Sequence, residues 1–197
     1  MMFPDIYLAS QSPRRRELLT QMGVTFSVLS VDVDETQYEQ ESPKEYVVRV
    51  ATAKAQAAWD GLALADKKPL LGSDTSVILG DTILGKPNNK QHASDMLAAL
   101  SGQTHQVMTA VAIITATKVW TAISVSLVTF SVLSDDDRAW YISTQEGVDK
   151  AGAYAVQGLA ALFIDKIEGS YSGIMGLPIR ETALLLAQIA AESEEAQ

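Results

Sequence analysis

The sequence contains no cysteine and only two histidines among its 197 residues. Without cysteine the chain has no disulfides, no thiolate metal sites and no cysteine nucleophile. Such a composition suits a reducing compartment, so we expect a cytoplasmic protein. The histidines, His92 and His105, lack the spacing that a histidine-based zinc site requires.

Basic residues are also scarce, since 15 lysines and arginines stand against 24 aspartates and glutamates and the net charge is −9. Binding to a phosphate backbone needs a basic surface, so we expect no nucleic-acid partner. No apolar stretch reaches the roughly 18 residues that a membrane span requires. The first residues also lack the long apolar run of a signal peptide, and we expect no association with a membrane.

The rest of the composition is typical of a globular chain, with 47% hydrophobic and 20% charged residues. The chain is long enough to bury a sizeable core and suits a single domain. We find no linker, repeat or low-complexity block. We predict one domain over residues 1–190, followed by an acidic tail over 191–197.

Helix and strand signals are interspersed along the chain. Ser12-Pro13 marks the start of one helix, and Ser42-Pro43 opens a capping box and a second helix that ends near Trp59. Hydrophobic patterning predicts further helices over 89–100, 134–144 and 178–191, and strands over 6–9, 24–33, 69–72, 107–115, 122–132 and 162–167.

Signals for β-hairpins also occur among these helices and strands. Gly80-Asp81 predicts a turn within a hairpin over 77–84, and a change of face between Leu127 and Val128 predicts a bulge. Because hairpins occur beside the βα units, we predict an α/β domain with a mixed sheet rather than a doubly wound parallel one.

Two sequence motifs match in spacing but lack a residue that their chemistry requires. Residues 80–87 fit the phosphate-binding P-loop until the last position, where Pro87 replaces the hydroxyl residue that would hold magnesium. Residues 169–173 resemble a nucleophile elbow, but Tyr171 stands where the serine should be. We therefore expect neither a P-loop enzyme nor a serine hydrolase.

A cationic segment follows the first predicted strand. Ser10 and Ser12 precede three consecutive arginines at the start of a helix, where free N–H groups and the positive helix end favour anions. A helix cap with solvated arginines is an equally good interpretation. Consecutive arginines cannot all point the same way, so at most two of them reach a ligand.

Carboxylates occur in two separate segments. Asp32, Asp34, Glu35 and Glu39 form a cluster that is usually a solvated loop, whereas Asp74 follows a predicted strand and can enter a cleft. Carboxylates from separate segments are what a magnesium or manganese ion needs beside a substrate phosphate. Asp74 alone could equally be a helix cap or a turn residue.

Three further polar residues stand in unusual places. Lys54 lies in an apolar helical row, so it either snorkels past the core or points into a cleft. Lys86 adds a second cation. Gln157 precedes Gly158 in a stretch of small residues, and its amide has the donor and acceptor that pair with uracil or thymine.

At these residues the chain resembles the Maf family of nucleotide pyrophosphatases. The likeness covers nearly the whole length. It lies in LASQSPRRRELL at 8–19, VDVDE at 31–35, RVATAKAQA at 49–57, LLGSDTSV at 70–77, ILGKP at 83–87, LSGQTHQVMTAVAI at 100–113, DKAGAYAVQG at 149–158 and GSYSGIMGLP at 169–178. Several such blocks in the right order are far more specific than any one motif.

The resemblance implies a Maf/Ham1-like fold, with an elongated mixed sheet flanked by helices and two lobes around a central cleft. It implies hydrolysis of a nucleoside triphosphate to the monophosphate and pyrophosphate, with Mg²⁺ or Mn²⁺ as cofactor. The catalytic carboxylate falls on Asp74, and the metal would lie at Glu35 and Asp74. The family's phosphate- and metal-handling positions fall on Ser10, Arg14, Glu35, Lys54 and Lys86.

Specificity positions of the family fall on Arg14, Thr75 and Gln157. These residues resemble the branch that acts on dTTP and UTP, whereas the branch acting on 7-methyl-GTP has Trp, Gln and Glu there.

The sequence leaves the general-base and metal-ligand roles of Asp74 open, and it leaves open whether the substrate is a standard or a modified pyrimidine nucleotide. A homodimer is expected from the resemblance alone. The alternative function is a nucleotide-binding regulator of cell division without significant turnover.

Overall fold

The structure is a computed structural model that describes residues 3–63 and 67–195. Within these ranges the strands are β1 (Ile6–Leu8), β2 (Phe26–Val28), β3 (Leu70–Leu79), β4 (Thr82–Leu84), β5 (Thr104–Ile114), β6 (Val119–Phe130) and β7 (Ile164–Glu168). The α-helices are α1 (Pro13–Gln21), α2 (Pro43–Asp60), α3 (Lys90–Leu100), α4 (Asp135–Ser143), α5 (Tyr171–Met175) and α6 (Ile179–Glu195). Short 3₁₀ turns cover Ala151–Ala153 and Leu159–Phe163.

The described strands form one sheet in the order β2-β1-β3-β5-β6-β7, with β4 beside β3. Strand β1 is parallel to both of its neighbours, and the pairs formed by β3, β5, β6 and β7 are antiparallel. The prediction of a mixed α/β sheet flanked by helices is therefore confirmed.

One edge of β3 is paired at its two ends and not between them. Strand β1 pairs with Leu70 and Leu71, and β4 pairs with Val77 to Leu79, so residues 72–76 lie between two neighbours on that edge. The sequence predicted a strand over 69–72 and a separate hairpin over 77–84. The hairpin is confirmed, but β3 is one continuous strand because β5 pairs with it from Leu70 to Ile78 along the other edge.

Helix α2 packs closely on β3. Its capping box is present: Ser42 Oγ accepts a hydrogen bond from the Glu45 N–H, and the Glu45 carboxylate accepts one from the Ser42 N–H. Small side chains then face the sheet, and a Cβ added at Gly72 would lie 2.3 Å from the backbone oxygen of Ala51. Only glycine allows this approach of helix to strand.

The buried side chains form three clusters. Two lie at one end of the long strands, on opposite faces of the sheet, and the third lies at the other end. Leu71 and Ile113 pack with α1 and α6 on one face of the sheet, while Leu70 and Ala112 pack with α2 on the other. At the far end, Val77, Val107, Phe130 and residues of α3 and α4 form a separate cluster. These clusters are the cores of the two predicted lobes, and the middle of β3 crosses between them.

Two further sequence predictions about strands were wrong. Strand β2 covers only Phe26–Val28 of the predicted 24–33. The β5–β6 register runs without interruption through Leu127 and Val128, and the register shift lies between Thr129 and Phe130 against β7. The buried face of β6 includes the polar Ser126, which accepts a hydrogen bond from the Ser170 N–H, so the apolar residues alone do not mark that face.

The chain's last helix is longer than predicted. It continues to Glu195 instead of ending at 191, and residues 196–197 of the predicted tail lie outside the described residues. The division into one domain over 1–190 and a tail stays a prediction. No helix in the described ranges is both long and apolar enough to cross a membrane.

Candidate active site

A cavity of about 560 Å³ opens beside the middle of β3, between the two lobes. The β1–α1 connection, the loop before α2, the end of β4 and the 149–157 segment form its walls. All eight site residues predicted from the sequence line it: Ser10, Arg14, Glu35, Lys54, Asp74, Thr75, Lys86 and Gln157. The structure thus brings these side chains together, and their individual roles stay predictions.

Two carboxylates meet one lysine in this cavity. Lys54 Nζ lies 2.8 Å from Asp74 Oδ1 and 2.8 Å from Glu35 Oε1. The Asp74 side chain is 8% exposed and that of Lys54 14%, whereas Glu35 stands at the rim at 42%. Of the two interpretations of Lys54, the structure therefore supports the one in which it points into a cleft.

The pKa of Glu35 reflects competing influences. Partial desolvation raises it, but the hydrogen bond and charge of Lys54, with smaller contributions from Lys86 and Arg15, outweigh that effect and leave it below its ordinary value. The carboxylate is therefore ionised at neutral pH.

The loop that carries Glu35 is fixed by residues of α2. Tyr46 Oη donates a hydrogen bond to the Glu35 backbone oxygen at 2.9 Å. Arg49 binds both carboxylate oxygens of Glu41, donates to the Thr36 backbone oxygen at 2.9 Å and lies over the Tyr38 ring. Burial, with the nearby carboxylates, raises the pKa of Tyr46 to about 12, so its hydroxyl remains a donor.

The arginine that contacts the other predicted residues is Arg15, which the sequence analysis did not single out. Its guanidinium donates to Ser10 Oγ at 3.0 Å, to the Gly176 backbone oxygen at 2.8 Å and to Thr75 Oγ1 at 3.4 Å. Burial lowers the pKa of Arg15 and the charge of Asp74 opposes this effect. The group stays cationic, because arginine does not deprotonate in proteins.

The start of α1 differs in detail from the predicted anion site. Ser12 occupies the N-cap position, but its side chain makes no capping hydrogen bond. Its N–H donates instead to Ser10 Oγ at 3.2 Å. Arg14 also lines the cavity, and Arg16 is exposed outside it. Two of the three arginines thus line the cavity, and which of them reaches a ligand stays a prediction.

A hydroxyl network supports the wall behind Thr75. Thr109 Oγ1 lies 2.9 Å from Thr75 Oγ1 and 2.7 Å from the Gly173 backbone oxygen. Ser73 Oγ donates to the same Gly176 oxygen that Arg15 binds. These contacts join β3, β5 and α5, and they hold the threonine and the arginine in fixed positions.

The opposite wall comes from the segment 149–157. Gln157 is exposed to the cavity, while Tyr154, Ala155 and Val156 are buried beneath it. Lys150 also lines the cavity and pairs with Asp149. The sequence analysis missed both, although they lie in the DKAGAYAVQG block.

The donor set at Glu35 and Asp74 fits a particular kind of metal site. Among the described residues there is no group of three or more histidine or acidic side chains that could hold a metal ion. Magnesium, however, is usually bound by one or two carboxylates together with waters and substrate phosphates. The pair therefore suits a dication that completes its coordination from water and phosphate.

The chain is similar to known proteins over nearly its whole length. Residues 5–189 match the family model described as Maf-like protein. The chain is 49% identical over 192 residues, 97% of its own length and 96% of theirs, to proteins named dTTP/UTP pyrophosphatase in Escherichia coli (strain K12) and Shigella dysenteriae serotype 1. Among solved structures, the Staphylococcus aureus Ham1 protein matches 64% of this chain and 71% of that one, with 14% identity and a TM-score of 0.42. Similarity at that last level indicates nothing about activity.

Proposed function

The chain belongs to the Maf family, and on this premise we propose that it hydrolyses the α–β phosphoanhydride of dTTP and UTP, releasing the nucleoside monophosphate and pyrophosphate. The observation that supports the proposal most is the buried Asp74 carboxylate, held by Lys54 in a cavity that Arg14, Arg15 and Lys86 also line.

The cavity has the charge that a triphosphate requires. A nucleoside triphosphate carries about four negative charges, and the leaving pyrophosphate gains more as the bond breaks. Arg14, Arg15, Lys54 and Lys86 all line the cavity of a chain whose net charge is −9. Fixed cations aimed at developing negative charge are usually the largest contribution to such a reaction.

Asp74 would act on the attacking water. In-line attack on the α-phosphorus needs a group that orients the water or accepts its proton, and a carboxylate does either. Asp74 is fixed on a strand that is paired along its other edge by β5, so its position does not depend on a flexible loop. Removing such a group typically lowers the rate by about 100-fold or more.

We propose Mg²⁺ or Mn²⁺ as the cofactor, held by Glu35 and Asp74. When bound, the dication would neutralise charge on the phosphate oxygens of the substrate. The residues of this chain would bind the phosphates and orient the water.

Gln157 would select the base. Its amide offers one acceptor and one donor, which match the N3–H and a carbonyl of thymine or uracil. At N3 and the 4-position cytosine presents the reverse pattern, so the same orientation of the amide cannot pair with it. Modified pyrimidines that keep the thymine or uracil edge would be accepted by the same contact.

Identification of the products tests the proposal. The protein is mixed with Mg²⁺ or Mn²⁺ and, separately, dTTP, UTP, dCTP, dGTP and 7-methyl-GTP, and the products are resolved by anion-exchange chromatography. Monophosphate and pyrophosphate from dTTP and UTP support the proposal. Diphosphate and phosphate would identify another bond, and binding without any product would indicate the regulator.

A homodimer and a cytoplasmic location are also proposed, the first from family resemblance and the second from the absence of cysteine. Sedimentation velocity at micromolar concentration tests the dimer. Fractionation of cells that express the chain tests the location.

A further inference from the structure

Gln157 lies in a segment whose backbone belongs to no strand or α-helix. Residues 154–158 connect the 3₁₀ turns Ala151–Ala153 and Leu159–Phe163 and cross the wall of the cavity. A side chain that discriminates between bases must be held within fractions of an ångström, so something else has to fix this backbone. Two side chains at the end of α4 and in the turn after it do so.

The carboxylate of Glu146 binds the chain just after Gln157. Its Oε2 accepts a hydrogen bond from the Leu159 N–H at 2.9 Å, and its Oε1 accepts a longer one from the Ala160 N–H at 3.4 Å. These N–H groups begin a helical turn and have no partner within it. Glu146 therefore acts as a cap supplied from 13 residues earlier in the chain.

Tyr141 binds the chain just before Gln157. Its hydroxyl accepts a hydrogen bond from the Ala155 N–H at 3.2 Å and donates one to Glu146 Oε1 at 2.9 Å. The ring is 1% exposed and packs edge-on against Phe163. One connected pair of side chains thus holds the backbone on both sides of Gln157.

Two glycines show how closely this pair fits the segment. A Cβ added at Gly158 would lie 2.2 Å from Glu146 Oε2, so any larger residue after Gln157 would displace the carboxylate. A Cβ added at Gly147 would lie 2.0 Å from the Ala153 backbone oxygen. The 146–147 turn therefore packs against the chain on both sides of Gln157 without room for an added Cβ.

We propose that Tyr141 and Glu146 are positioning residues for base selection, which act by holding the backbone on either side of Gln157. The proposal rests on the proposed function, because it assigns Gln157 to the nucleobase. Neither side chain lines the main cavity. Their effect on the substrate would pass through the 154–157 wall of the cavity, and their effect on base selection through the Gln157 amide.

The test compares Tyr141→Phe and Glu146→Gln with wild type and with Tyr171→Phe as a matched control. Tyr171 is 48% exposed and outside this network. For each protein, kcat/KM is measured for dTTP and dCTP, and Kd for both is measured by calorimetry without divalent metal. We expect the dTTP preference to fall at least about tenfold in the first two variants, chiefly through dTTP, and to be unchanged in the control.

A double-mutant cycle separates positioning from general support of the fold. Tyr141→Phe is combined with Gln157→Ala, and the preference should then change less than about twofold on adding the tyrosine substitution. Equal losses for dTTP and dCTP, or independent effects in the double variant, would overturn the proposal. A wild-type protein that binds dTTP selectively without cleaving it would refute the proposed function, while the Kd ratios would still test the positioning.

Discussion

Lys54 Nζ lies 2.8 Å from Asp74 Oδ1, so a lysine from helix α2 and an aspartate from strand β3 form a largely buried ion pair in the cavity wall. The same nitrogen is equally close to Glu35. Lys54 thereby joins the two acidic segments of the sequence, and its place in an apolar helical row is explained by this contact.

Lys54→Met tests this ion pair. The substitution leaves the Asp74 carboxylate buried without its cation, and breaking one side of such a pair costs about 3 kcal/mol. We expect the free energy of unfolding in urea to fall by that amount and kcat/KM for dTTP to fall by about 100-fold or more. Lys44→Met, on an exposed residue of the same helix, is the control. Turnover within threefold of wild type would show that Lys54 has no part in the reaction.

The three consecutive arginines give the next prediction. Arg15 binds Ser10, Thr75 and Gly176 through separate nitrogens, an arrangement that the single ammonium of lysine cannot reproduce. We expect Arg15→Lys to lower kcat/KM for dTTP by at least about tenfold, because each lost hydrogen bond to a charged group is worth about 1.5 kcal/mol or more. Arg16→Lys, at an exposed position, should behave as wild type. Equal effects of the two substitutions would contradict the conclusion that Arg15, and not Arg16, supports the site.

Gly72→Ala tests the packing of α2 on β3. The added methyl group would lie 2.3 Å from the Ala51 backbone oxygen and 2.8 Å from the Ala55 backbone nitrogen, so helix and strand must separate. We expect a loss of about 3 kcal/mol in the free energy of unfolding, at the upper end for an overpacked core. Gly61→Ala is the control, since its nearest contact would be 3.5 Å. An unchanged melting temperature in Gly72→Ala would contradict the described packing.

Local signals predicted the elements whose partners are close in the sequence. The capping box at Ser42 and the turn at Gly80 needed only neighbouring residues. The contacts of Arg15 could not be predicted, because they depend on the Gly176 backbone oxygen, which lies 161 residues further along the chain. Tyr141 and Glu146 carried no sequence signal, since their partners are backbone N–H groups that no residue type reveals.

His105 gives a prediction about pH. The ring is 2% exposed, its Nε2 is hydrogen-bonded to Tyr154 Oη, and burial lowers the pKa of His105 to about 4. The unfolded chain takes up a proton near pH 6.5, and the folded chain does so only near pH 4. Folding therefore keeps its full stability with respect to His105 above about pH 6.5. As the pH falls towards 4, protonation of the unfolded chain lowers the free energy of unfolding by at most about 3 kcal/mol.

The measurement is urea unfolding of wild type and His105→Gln between pH 7 and pH 4. Carboxylates titrate in both proteins, so the difference between the two curves isolates the histidine. We expect the stability of the variant to fall less steeply over this range. Parallel curves would mean that His105 titrates alike in both states.

Hydrolysis of dTTP in ¹⁸O-labelled water, with mass spectrometry of both products, tests the central claim most directly. Attack on the α-phosphorus places the label in dTMP, and Asp74→Asn, with an unchanged circular dichroism spectrum, should form this labelled dTMP at least about 100-fold more slowly. Label in the pyrophosphate, or near-normal formation of labelled dTMP by the variant, would contradict the account.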